Sequence, residues 1–209
     1  MFKADLRPAH LAIGSRRIHY GWVIVVIAST IGSITSAVRF AATALVPHLR
    51  DSASGLGWSY GAITLGFSLQ WFVLGIVSPY VGWLGDRYGA RRLLLFGTFL
   101  FIAGMLLTGI MTSLWQFYLF FGVMLGVSTT VFSILLVTGV TLWFRRRLGM
   151  AMGAMGSVQG IGTIAFLFPI AVAFDVLGMK WIFWIPGIAG GAIVLLLIKF
   201  FYNEPGDIG

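Results

Sequence analysis

The chain has 209 residues, 59% of them hydrophobic and 10% charged, and a formal net charge of +8. Soluble domains average roughly 45–50% apolar and about 25% charged residues, so this composition excludes a water-facing surface over most of the chain and makes lipid its main solvent. The absence of cysteine excludes disulfides and thiolate metal sites, and basic residues grouped in short clusters between apolar runs argue against a nucleic-acid-binding face.

Residues 1–19 read as a basic cytoplasmic tail. Met1 to Arg17 leads into a full-length apolar run and lacks the short apolar core and small-residue cleavage site of a signal peptide. A membrane span needs about 20 mostly apolar residues, and the pattern predicts six of them, Tyr20–Val46, Trp58–Val81, Leu93–Thr112, Trp115–Trp143, Gly149–Ala173 and Trp181–Phe201. Leu93 to Phe144 carries no charge and is too long for one helix, so the turn is placed at Met111-Thr112-Ser113-Leu114, where small polar residues interrupt the run. The fold class is therefore an all-α membrane protein, a six-helix bundle over residues 20–201, with 202–209 as a second cytoplasmic tail.

Charge orients the bundle. With the N-terminus inside, the cytoplasmic segments hold eleven basic residues (Lys3, Arg7, Arg16, Arg17, Arg87, Arg91, Arg92, Arg145, Arg146, Arg147 and Lys199) and the outer segments only two, Arg50 and Lys180. That asymmetry predicts both termini in the cytoplasm, in agreement with an even number of spans. Tyr20, Trp22, Trp58, Trp83, Trp115, Trp143, Trp181 and Tyr202 suit interfacial belts at the span ends.

Within the first span, Arg39 is the sharpest single residue. It precedes Pro47 by eight residues, which puts it roughly 12 Å from the outer end at about 1.5 Å per residue. A charge at mid-helix costs at least about 2.5–3.5 kcal/mol and by default marks a site facing a cavity and paired with something. No acidic residue lies in any of the six predicted spans, so a substrate carboxylate or a group outside this bundle becomes the natural partner; snorkelling to the outer interface is the alternative. Gln70 in the second span, Tyr118 in the fourth and Gln159 in the fifth are further candidates for substrate binding, as are Ser128, Thr129, Thr130 and Ser133, although each could instead bond a neighbouring backbone.

Between the second and third spans, GWLGDRYGARR (Gly82 to Arg92) reads as a tight cytoplasmic turn. Gly82 and Gly85 let the helix end approach a neighbour, and Gly89 permits a backbone turn closed to other residues. Asp86 can accept hydrogen bonds from arginines or from a helix N-terminus, and Arg87, Arg91 and Arg92 hold the turn in the cytoplasm. In the fifth span Gly149 and Gly153, and again Gly156 and Gly160, stand four apart, placing small surfaces on one side of a helix, for close packing or for bending. His10, His19 and His48 lie at tails or span ends, so no metal site is expected. The chain has no phosphate-binding P-loop, nucleophile elbow or dinucleotide fingerprint, which argues against an enzyme, an ATP-driven pump or a bound cofactor.

The set Gly82, Asp86, Arg87, Gly89, Arg91 and Arg92 resembles the signature loop between helices 2 and 3 of the major facilitator superfamily of secondary transporters. WFRRRLGMAMGAMGSVQGIG, from Trp143 to Gly162, resembles the entry to the fifth helix in the monocarboxylate transporter and oxalate/formate antiporter branch. His19-Tyr20-Gly21-Trp22, Arg39 in its Val-Arg-Phe context, and Pro205, Asp207 and Gly209 are similar to that branch too. Two positions depart from the pattern: Ala90 stands where many members carry a basic residue, and the acidic residue that animal monocarboxylate carriers place before Gly-Trp is absent.

The resemblance covers the N-terminal half of the family's usual twelve-helix plan. It implies a 3+3 inverted repeat, a gating role for the Gly82–Arg92 set, and alternating-access transport of a small organic anion, a monocarboxylate or dicarboxylate, in a bacterial inner membrane. The expected partners are that anion, the lipid bilayer and a second six-helix half or a homodimer mate, the chain being a fragment, a split-gene half or one copy of a homodimer. In resembling transporters the second helix meets the repeat equivalent of the fifth, so Gly82 and Asp86 of one copy are expected near Gly149 and Gly153 of the other. The other class of function is a transport-inactive membrane subunit or assembly factor that keeps the scaffold.

Overall fold

The computed structural model describes residues 10–13, 16–44, 46–50, 57–144, 147–177 and 179–199. Lys3, Arg7, Arg145, Arg146, Pro205, Asp207 and Gly209, and with them most of the first tail and all of the second, lie outside the described residues.

Among the described residues, six helices are long and apolar enough to cross a membrane. The first is Tyr20–Ala44, followed by the short helix Val46–Arg50. The second is Tyr60–Tyr88 and the third Ala90–Gly109. The fourth joins Leu114–Phe117, a π-helical segment Tyr118–Met124 and Leu125–Trp143. The fifth is Leu148–Leu177, and the sixth joins Met179–Ile185, π-helical Pro186–Gly190 and Gly191–Lys199. The tail reading of residues 1–19 needs one addition, an antiparallel hairpin of His10–Ile13 with Arg16–His19 in which Ile13 faces Arg16.

The turn expected near Met111–Leu114 is present: the third helix stops at Gly109, and the Gln116 amide oxygen accepts from the Thr112 and Ser113 N–H groups at 2.9 and 3.2 Å, closing the start of the fourth. Ser59 caps the second helix, its hydroxyl accepting from Ala62 N–H at 3.2 Å.

Gly82–Arg92 differs from the tight turn expected. The second helix continues through Gly82, Asp86 and Arg87 to Tyr88, and the third begins at Ala90, leaving Gly89 alone between them. Hydropathy marks where lipid ends, whereas the backbone hydrogen-bond ladder has no reason to stop there. Gly89 has φ 86° and ψ 140°, a conformation side-chain-bearing residues rarely adopt, and its N–H donates to the Gly85 carbonyl at 3.0 Å. One residue thus reverses the chain.

Helices in lipid gain little from apolar contact with each other, so close backbone approach and interhelical hydrogen bonds, each worth about 0.6–2 kcal/mol, must hold the bundle. The first helix packs chiefly on the fifth and the second on the fourth; the first also touches the fourth, and the third touches the fourth and sixth. Exchanging first with fourth, second with fifth and third with sixth turns the first–fifth contact into the fourth–second contact. It maps first–fourth and third–sixth onto themselves, the pattern of a 3+3 inverted repeat. Where the second and fourth helices meet, a methyl group at Gly122 would come within 2.7 Å of Leu69 and one at Gly126 within 3.1 Å of Val73. Gln70 Nε2 donates to the Phe121 carbonyl and the Tyr118 hydroxyl to the Ala62 carbonyl, both at 2.9 Å. Phe117 and Phe121 stack at 5.0 Å with Phe67 edge-on, filling the adjoining core.

Candidate functional site

Ser29, Gly32, Ser33, Ser36 and Arg39 recur at three- and four-residue steps along the first helix and so share one stripe. Against this stripe lies the fifth helix. Ser29 donates to the Met155 carbonyl at 3.3 Å and Ser33 to the Gln159 carbonyl at 3.1 Å. Where the stripe approaches the fourth helix, it leaves a cavity of about 170 Å³ whose polar lining is Thr35, Ser36, Arg39, Thr129, Ser133 and Gln159. That volume holds roughly five waters or a small organic anion.

Arg39 is half-buried, and its guanidinium sits over the Trp71 ring of the second helix, 4.4 Å from the centroid. Such stacking is worth about 0.5–2 kcal/mol, rising with desolvation, and leaves the edge of the guanidinium fork available. Among the described residues no carboxylate pairs with Arg39. Thr35 and Thr129 donate back to the Ile31 and Leu125 carbonyls of their own helices at 3.1 and 2.8 Å, so the donors that remain for a guest are those of Arg39, the Ser36 and Ser133 hydroxyls and the second amide hydrogen of Gln159. Gln159 crosses to the first helix, where its Nε2 donates to Ser36 Oγ at 3.1 Å. The crossing depends on Gly32, where a methyl group would come within 2.8 Å of Gln159 Cδ.

Of the residues expected to bind substrate, Arg39, Thr129, Ser133 and Gln159 share this cavity. Gln70 and Tyr118 stand apart from it, bonded to backbone carbonyls between the second and fourth helices. Gly32, Thr35 and Ser36 were not expected there, nor was Trp71 beneath Arg39; the small-residue stripe leading to Arg39 carries Gly32 and Ser36, whereas nothing in the sequence marks Trp71.

At the other end of the second helix, Asp86, Arg87, Arg91 and Arg92 are all exposed. Arg87 lies 5.2 Å from the Trp83 ring and 5.6 Å from that of Tyr88, and Asp86 forms no ion pair among the described residues. Gly85 contacts the fourth helix, a methyl group there coming within 2.7 Å of Leu135, whereas Gly82 faces open space. Gly149, Gly153, Gly156 and Gly160 likewise have nothing within 4 Å of an added methyl group. The glycine that packs the fifth helix on the first is Gly162, against Ser33. No group of three His, Asp or Glu side chains among the described residues is placed to hold a metal ion.

Residues 20–209 match the sequence profile of the Major Facilitator Superfamily. The chain belongs to that superfamily. This facilitator chain is 28% identical over 191 residues to the oxalate:formate antiporter of Oxalobacter formigenes, covering 90% of this chain and 44% of the antiporter. It is 29% identical over 158 residues to an uncharacterized MFS-type transporter, YhjX, of Escherichia coli, 75% of this chain and 36% of that protein. It is also 28% identical over 147 residues to MFS-type transporter 1 of the fungus Ophiocordyceps, 70% of this chain and 32% of that one. The facilitator chain thus spans less than half the length of each of these relatives.

Proposed function

We propose that this facilitator chain takes part in secondary active transport of a small organic anion, a monocarboxylate or dicarboxylate, as one six-helix half working by alternating access with a second half or a second copy of itself. The observation that carries the reading is Arg39, a cation within a span, stacked on Trp71 at the edge of a polar cavity, with no carboxylate of the described residues paired to it. Likeness to an antiporter named for two carboxylates supports the anion class.

The direct test is uptake of labelled short carboxylates into proteoliposomes containing only this chain. Accumulation that is stimulated by unlabelled carboxylate inside the vesicles is the expected result for a homodimeric exchanger. Correctly inserted protein with no carboxylate flux and no carboxylate binding would instead favour the subunit or assembly role.

The membrane orientation proposed from charge has both termini and the Arg87 end of the second helix in the cytoplasm of a bacterial inner membrane, with Arg50 and Lys180 outside. Reporter fusions should give an inside signal at Gly209 and an outside signal next to Lys180; the reverse pair of signals would overturn the orientation.

A further inference from the structure

The polar cavity has a neighbour. A groove of about 480 Å³ runs along the first and fifth helices, lined by Phe40, Gly160, Thr163, Ile164 and Leu167. Ser36 and Gln159 line both the groove and the Arg39 cavity. These are the two residues joined by the 3.1 Å hydrogen bond from Gln159 Nε2 to Ser36 Oγ. The bonded pair therefore stands as a wall between a small polar compartment holding the cation and a larger, mostly apolar one.

We infer that Gln159, held across Gly32 by Ser36, is a specificity-determining residue that limits the length of the carboxylate bound at Arg39. The inference rests on the reading of Arg39 as the anion-binding group. A carboxylate on Arg39 with one or two further carbons fits the 170 Å³ compartment, whereas a longer alkyl chain must pass through the position of the Gln159 amide to reach the apolar groove. The wall is polar on the cavity side, and an alkyl chain that displaced it would strip the amide of its hydrogen bond without replacing it. Short carboxylates are accepted, and longer ones are excluded by both shape and desolvation.

Removing the side chain gives up its one bond to the first helix, from Nε2 to Ser36 Oγ, but keeps the backbone carbonyl's bonds, accepted from Ser33 at 3.1 Å and from Thr163 at 2.7 Å. Gln159→Ala joins the two compartments. Ser36→Ala removes the tether but leaves the amide in place, and Gly32→Ala pushes the amide aside without altering it.

Calorimetric titration of the chain in lipid nanodiscs with sodium acetate, butyrate and hexanoate, alongside Arg39→Gln as control, tests the inference. The wild type should lose affinity from acetate to hexanoate. Gln159→Ala should reverse that order, gaining up to roughly fourfold for each methylene that reaches the groove, so the hexanoate-to-acetate ratio rises at least tenfold. Ser36→Ala should move the ratio in the same direction by a smaller factor, and it carries the test if Gln159→Ala or Gly32→Ala does not fold. An unchanged chain-length profile in a folded variant whose acetate binding still depends on Arg39 overturns the wall while sparing the anion site. Wild-type binding that is absent, or indifferent to Arg39→Gln, overturns both.

Discussion

Replacing Arg39 by glutamine should weaken carboxylate binding by about 10- to 150-fold, the equivalent of the roughly 1.5–3 kcal/mol lost with a charge-assisted hydrogen bond. Arg39→Lys should also weaken it, by less. Lysine keeps the charge but presents a compact, strongly hydrated ammonium in place of a planar fork, and it cannot stack flat on the Trp71 ring that lies 4.4 Å from the guanidinium. Membrane insertion of Arg39→Gln should be unchanged or improved, because burying the charge costs at least about 2.5 kcal/mol. Affinities of the wild type and both variants in one lipid system, with expression as the insertion readout, check this. Normal binding and transport by Arg39→Gln would reduce the arginine to an interfacial anchor and leave this half without a fixed anion site.

Cysteines placed at Gly82 and Gly153, one in each of two co-expressed copies, should crosslink in the membrane in up to about half of the dimers, the share that random pairing makes mixed, if two copies make one transporter. Among the described residues nothing lies within 4 Å of a methyl group added at either position, so the new side chains are open to a partner. The second and fifth helices are also the least buried of the six, with 17% of their most apolar windows buried against 72% and 61% for the first and fourth. A closed two-fold assembly makes the same pair of surfaces meet twice, and the second helix of one copy against the fifth of the other satisfies that requirement. Matched controls at Phe96 and Leu196, exposed on the third and sixth helices, should not crosslink. A chain that stays monomeric at every protein-to-lipid ratio would remove the homodimer and leave a separate second half as the mate.

Much of the bundle was legible because lipid imposes a simple rule, that a backbone leaving water must satisfy itself in a helix. That rule located the six spans and the Met111–Leu114 turn. It could not locate the ends of the second helix, since Asp86 and Arg87 are polar enough to leave the hydrocarbon and still remain helical. Arg39 stood out as a lone charge in an apolar run. Gln159 did so less, because its meaning depends on Ser36, 123 positions away, and on the missing side chain of Gly32. For Gln70 and Tyr118 the sequence offered no means of telling a ligand-facing group from one spent on a neighbour's carbonyl, which any helix presents. The four-residue spacing of Gly149, Gly153, Gly156 and Gly160 gave no sign that these positions stay exposed, while the contact that draws the first and fifth helices together within the chain uses Gly32 and Gly162.

The π-helical segment Tyr118–Met124 has a consequence for how the fourth helix is counted. A turn closed from residue i to i+5 contains one residue more than an α turn, and at 3.6 residues per α turn that residue is worth about 100° of rotation. A helical wheel drawn through the whole span therefore assigns Tyr118 and Ser133 to faces they do not share in space. The segment is a phase shift written into the chain: it lets the aromatic half near Phe117 and the hydroxyl-bearing half near Thr129 each meet its own neighbours.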